Sequence, residues 1–189
     1  MKNPRLKGSG LKKLAALASL VAVSTGLTAC VSTKDPYALV PCPYVGVLDD
    51  ASEITRFKYG GGRDVSDIDF HGEISRIDFT CTKPENKNFV VGKAVVYTEF
   101  ERGMSTTLDR QFFKIFLAIS ERDERIVDKS EMLVDVRFKE GSRKADARTV
   151  IRGIRIPTDG TVGADFHNIY VGFQLSPAEV AYNRTKKKS

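Results

Sequence analysis

The sequence contains no tryptophan, two histidines, three cysteines and three methionines, and each scarcity narrows what the chain can be. Without tryptophan it cannot carry the Cys, Trp, Cys core of antibody-type domains. Two histidines, His71 and His167, sit in no recognisable motif, and no G-x-S-x-G elbow provides the usual frame for a serine nucleophile. Gly60 to Arg63, followed by Asp64, is glycine-rich but lacks the G-x-x-x-x-G-K pattern and the strand-to-helix setting of a phosphate-binding loop. It reads as a flexible hairpin tip. There is no C-x-x-C pair, internal repeat or long low-complexity tract. No apolar run reaches the roughly 20 residues that a membrane-spanning helix needs.

What is present starts with charge. Met1 to Lys13 carries Lys2, Arg5, Lys7, Lys12 and Lys13 and no acidic residue, a positive stretch that tends to stay on the cytoplasmic side of a membrane. Leu14 to Val23 is apolar except for Ser19, and small residues follow up to Leu27-Thr28-Ala29-Cys30. An apolar run of about ten residues suits the h-region of a signal peptide. An uncleaved anchor helix, or an amphipathic helix with a chance cysteine behind it, would not explain that order of blocks.

Leu27 to Cys30 resembles the lipobox of bacterial lipoproteins. The resemblance implies cleavage before Cys30, a diacylglyceryl thioether on its sulfur and an acylated amino group. Stable anchoring takes at least two such signals, so three chains hold the protein firmly. Val31 in place of Asp after the cysteine implies the outer membrane, at its periplasmic face, with the inner membrane or the cell surface as alternatives. The expected organisation is a signal peptide at 1–29, a lipidated N-terminus and tether at 30–41, one domain at 42–183 and a basic, disordered tail at 184–189. No cofactor is expected beyond the covalent lipid.

The formal charge of +6 shrinks under this reading. Setting aside residues 1–29 leaves 25 basic against 24 acidic residues, and part of that remainder lies in Arg184, Lys186, Lys187 and Lys188. The basic footprint of a nucleic-acid binder is missing. Of the cysteines, Cys30 takes lipid, which leaves Cys42 and Cys81. In an oxidising compartment a leftover pair is more often a disulfide than a metal or redox site, which would favour C-x-x-C spacing.

The remaining chain reads as strands. Ile68, Phe70 and Ile74 alternate with Asp67, Asp69, His71 and Glu73, the period-two pattern of a half-buried strand. Beyond them the apolar phase moves to Ile77, Phe79 and Cys81, which predicts a β-bulge near Ser75 or Arg76. Phe112 to Ile119 is apolar on both faces except for Lys114, as a strand covered on both sides would be. Met132, Val134, Val136 and Phe138 alternate with charged residues. Glu140 to Ala147 reads as a polar loop, Thr149 to Ile156 as a strand, and Tyr170 to Leu175 as the last strand. Ser176, Pro177 and Glu179 supply an N-cap, a first-turn proline and a capping-box acid for a short helix to about Tyr182. These signals predict an all-β, antiparallel β-sandwich, immunoglobulin- or fibronectin-like, with a short C-terminal helix; a small barrel is the second choice.

The stretches ASEITRF at Ala51 to Phe57, GRD at Gly62 to Asp64 and GFQLSPAEVAYNR at Gly172 to Arg184 resemble small envelope lipoproteins of Proteobacteria. That resemblance bears on compartment and domain boundaries and implies no catalytic residues. The candidate metal site is the face of Asp67, Asp69, His71 and Glu73, where oxygen ligands and one imidazole share one side of a strand. The competing reading is the wet face of that strand, since a linear array offers few convergent ligands. Two functions follow as expectations. One is a lipid-anchored, non-enzymatic β-sandwich that binds or assembles with an envelope protein. The other is a metal-dependent or hydrolytic periplasmic enzyme using His71 and the neighbouring carboxylates.

Overall fold

Apolar residues at every second position make a strand one-sided, and eight such segments pair into two sheets that bury those sides against each other. The computed structural model describes residues 41–84, 87–104, 106–122, 124–159 and 163–186. The expected signal peptide, Cys30, the expected tether as far as residue 40 and residues 187–189 lie outside them. The elements are β1 (Tyr44–Val47), β2 (Glu53–Phe57), β3 (Ile68–Thr82), β4 (Phe89–Arg102), β5 (Arg110–Glu121), β6 (Ile126–Arg137), β7 (Lys144–Pro157), β8 (His167–Phe173) and α1 (Pro177–Lys186). The first sheet has the order β1-β8-β5-β6 and the second β2-β3-β4-β7. Every pairing is antiparallel except β1 with β8, which is parallel.

The expected sandwich is present, with a strand order of its own. In the immunoglobulin arrangement the first, second, fifth and fourth strands share a sheet; here β2, β3 and β4 follow one another as neighbours. Long hairpins explain this, because β3 and β4 run 15 and 14 residues and pair along nearly their whole length. The bulge predicted near Ser75 lies there, as a register shift between Ile74 and Arg76. It turns Ile77, Phe79 and Cys81 toward the core.

Three boundaries differ from the sequence reading. β7 begins at Lys144, inside the expected polar loop. Lys144 and Asp146 lie opposite Glu101 and Glu99 of β4, while Ala145 and Ala147 pack on the core. The alternation was there, but alanine is too weak a strand former to announce it. β8 starts three residues early, at His167. The helix continues past Tyr182 to Lys186, so Arg184 and Lys186, expected in a disordered tail, are helical and ion-paired.

Phe70, Phe100, Phe113 and Phe173 meet at the centre of the core, with Phe100 and Phe113 stacked at 4.6 Å between ring centroids. Phe70 meets Phe113 edge-on at 6.1 Å and tilts against Phe138 at 5.9 Å. Each ring in such a cluster contributes about 3–5 kcal/mol against truncation to alanine. The disulfide joins Cys42 to Cys81, with Cα atoms 6.0 Å apart. It fastens the segment before β1 to the far end of β3.

Candidate functional site

The candidate metal face does not converge. Asp67 falls in a 3-10 turn at Val65–Asp67, where its carboxylate caps the Asp64 backbone N–H at 3.4 Å. The strand begins one residue later, at Ile68. Asp69 is half-buried, and its backbone carbonyl accepts from the Gly103 N–H at 2.7 Å. His71 Nδ1 lies 3.1 Å from Thr55 Oγ1 on β2. Glu73 is exposed. Among the described residues no group of three or more His, Cys, Asp or Glu side chains is placed to hold a metal ion.

Register adds what spacing alone did not show. Glu73 lies opposite Glu53 of β2 and Glu99 of β4, and Glu99 lies opposite Asp146 of β7. Four carboxylates therefore form one row across the outer face of the second sheet. The next row reads Thr55, His71, Glu101 and Lys144, with Glu101 bridged to Arg143 at 2.9 Å. Like charges directly opposite one another are destabilising, so the acidic row is held in place by the core beneath it. His167 lies in the other sheet, 3% exposed, its ring edge-on to Phe166 at 5.9 Å.

A second arrangement is built from the stretches Ala51 to Phe57 and Gly172 to Arg184, which the fold brings side by side. The chain leaves β1 through Leu48, whose N–H donates to Val171 O at 2.8 Å. It then makes a 3-10 turn at Asp49–Ala51 before entering β2 in the other sheet. Ala51 packs against Phe116 and Ala118 of β5, with Leu175 alongside. The approach is close because of Gly172, where a Cβ would fall 2.7 Å from Ala51 Cβ and 2.9 Å from the Phe116 ring. Only glycine leaves that room.

The helix then fastens the turn and β2 from outside. Its start is the capping box expected from sequence: the Ser176 N–H donates to Glu179 Oε2 at 2.6 Å and the Glu179 N–H to Ser176 Oγ at 3.3 Å. Asn183, 4% exposed, donates through Nδ2 to Asp50 O at 3.0 Å and Glu53 O at 2.8 Å. Arg184 pairs with Asp50 at 2.7 Å and Lys186 with Glu53 at 2.6 Å. Tyr182 meets the Phe57 ring edge-on at 5.0 Å. Arg56 lies over the Phe113 ring at 4.7 Å, donates to Phe112 O at 3.0 Å and reaches Glu179 at 3.8 Å.

Between the turn, β5 and α1 lies an open groove of about 530 Å³. Leu48, Phe116, Leu175 and Val180 give it apolar lining, and Lys129 and Arg184 bring cations. Lys129 Nζ sits 5.0 Å over the Phe116 ring and donates to Gln174 Oε1 at 2.7 Å. Sequence reasoning missed this groove. Phe116 reads as core from its strand, and Asn183 lies just past the expected helix end; only the capping box pointed to the helix.

These features define a class: a two-layer β-sandwich whose C-terminal helix latches a crossover turn beside a mixed apolar and charged groove. Comparison of the chain with protein families, with curated proteins and with solved structures finds no match.

Proposed function

We propose that the mature chain is a lipid-anchored cell-envelope protein whose sandwich works by binding an envelope protein. The groove beside Phe116 carries this reading. It places exposed Leu48 and half-buried Leu175 next to solvent-facing Lys129 and Arg184, and apolar anchors among charged neighbours are the usual anatomy of a protein-recognition patch. The lipobox at Leu27 to Cys30 and the Cys42–Cys81 disulfide support the compartment, since such bridges persist in oxidising surroundings.

The test has two parts in intact cells. Cys30→Ser tests the anchor: it should abolish fatty-acid labelling and release the protein from the membrane fraction, and retained labelling would overturn it. For the groove, a photo-crosslinker at Leu48 should capture the same envelope protein in replicate experiments. Leu175→Arg should remove that capture while leaving the fold and the membrane fraction unchanged. Capture that survives Leu175→Arg, or none above the uncrosslinked control, would sink the groove reading.

A second reading, a hydrolytic or metal-dependent enzyme using His71, is favoured by one contact: Thr55 Oγ1 lies 3.1 Å from His71 Nδ1, and Glu101 is opposite His71 in register. A hydroxyl, an imidazole and a carboxylate in sequence is the pattern of an activated nucleophile. Thr55, however, is 4% exposed, which a substrate-attacking hydroxyl would not be. Hydrolysis of model esters that disappears in His71→Ala would reinstate it.

A further inference from the structure

A sandwich has four sheet edges, and an unpaired edge is a template for another strand unless something defends it. Three of the four are defended. β1 is four residues long. β2 is latched by α1 through Asn183 and Lys186. β7 is kinked at Gly153, which has φ of +71° beside a register shift, and it ends on Pro157 and carries Arg148, Arg152 and Arg155. A copy of β7 would meet the same positive charges. β6 is different: it is 12 residues long, and every residue from Ile126 to Glu131 is exposed.

The orientation of β6 follows from its pairing. The Phe138 N–H donates to Asp109 O at 2.7 Å, continuing the β5–β6 ladder. Backbone direction alternates along an antiparallel strand, so Ser130, Met132 and Val134 turn their backbone groups to β5. Lys129, Glu131 and Leu133 turn theirs to the side of β6 that has no neighbouring strand among the described residues. These same three residues carry their side chains on the outer face, opposite Ala118, Phe116 and Lys114.

We propose that two copies of this chain join edge to edge through β6, antiparallel, about a two-fold axis through Ser130, making one eight-stranded sheet. With Ser130 opposite Ser130, Lys129 of each copy faces Glu131 of the other, twice over, and Val127 faces Leu133. Asp128 faces Met132. On its outer face the strand is thus complementary to itself in charge and in apolar positions, which is what a closed, isologous contact requires. Leu133 is 60% exposed and Val127 37%, so both gain cover. A register shift opposite Ile119 and Ser120 ends the straight segment near Val127. About seven residues per copy then pair, centred where the charges match. Moving the centre by one residue, to Glu131 or Lys129, would put that residue opposite its own like charge; moving it by two, to Met132 or Asp128, would set Glu131 against Leu133 or Lys129 against Val127.

The axis at Ser130 is testable by covalent capture in the full, otherwise unchanged chain in its own cells. Directly opposed residues that are not hydrogen-bonded to each other have Cα atoms about 4.5 Å apart, within disulfide reach. Ser130→Cys should give an oxidant-dependent dimer on a non-reducing gel, absent from the parent chain. Leu133→Cys, which meets Val127 and not itself, should not. Adding Glu131→Lys to Ser130→Cys opposes positive charges and should cut the dimer by about tenfold. Adding Lys129→Glu as well swaps the signs, restores complementarity and should restore the dimer. No Ser130→Cys dimer, equal capture by Leu133→Cys, or a charge swap that fails to rescue would each overturn the proposal. Lys129 also lines the groove and changes only in the charge-swap variant; Ser130→Cys alone and Glu131→Lys leave every groove residue untouched, so capture at Leu48 in those variants tests the groove reading separately.

Discussion

Single residues here act mainly through register. Asp135 is held below the usual carboxylate range chiefly by the hydrogen bond from Arg110; desolvation opposes this, and the hydrogen bond from Arg137 adds a smaller lowering. The Arg110 pair is bidentate, with Nε and Nη2 donating at 2.7 and 2.8 Å. Since the folded pKa lies below the unfolded one, this pair stabilises the fold above the unfolded carboxylate range. Its contribution is lost as pH falls through the folded pKa. In Arg110→Ala the Asp135 carboxyl should titrate at higher pH than in the parent, followed by NMR of the side-chain carbon. An unchanged midpoint would show that the pair does not form in solution. The Arg110 pair is not visible in sequence, because its partners lie 25 positions apart.

At the scale of elements, the strands were legible and their alignment was not. The alternation at Ile68, Phe70 and Ile74, the phase change at Ser75 and the two-sided burial of Phe116 and Ala118 were all written in local order. The acidic row of Glu53, Glu73, Glu99 and Asp146 was not, because it exists only once four strands take their register. Glu73→Lys should therefore stabilise the protein by about 0.5–1 kcal/mol, turning two like-charge contacts into opposite ones. Urea unfolding at low and at high salt checks it: the gain should shrink as salt screens exposed charges. A gain that does not depend on salt would mean that packing, and not charge, sets the stability of that row.

For the whole molecule, the bridge between Cys42 and Cys81 spans 39 positions and ties the segment before β1 to the end of the longest strand. Replacing both cysteines by serine should lower unfolding free energy by about 4 kcal/mol in the chain-entropy picture, measured by urea unfolding of parent and double variant. A loss near zero would mean that the bridge leaves the unfolded chain little restrained. The helix is the second whole-molecule tie, since Asn183 reaches back to carbonyls 130 and 133 positions earlier. Together the two ties fix both ends of the described chain to the second sheet.

The sequence by itself determined the all-β class, the strand faces, the bulge, the cysteine pair and the capped helix. Each depends on side-chain order over a few residues, or on a count. The tertiary structure alone decided which strands are neighbours, that β1 runs parallel to β8, where the helix docks and which carboxylates face one another. It also separated Asp67 from His71 and brought Ala51, Phe116 and Leu175 into one groove. Those outcomes depend on long-range register and on the crossover between sheets, where the hydrophobic pattern is satisfied equally well by several strand orders and packing selects among them.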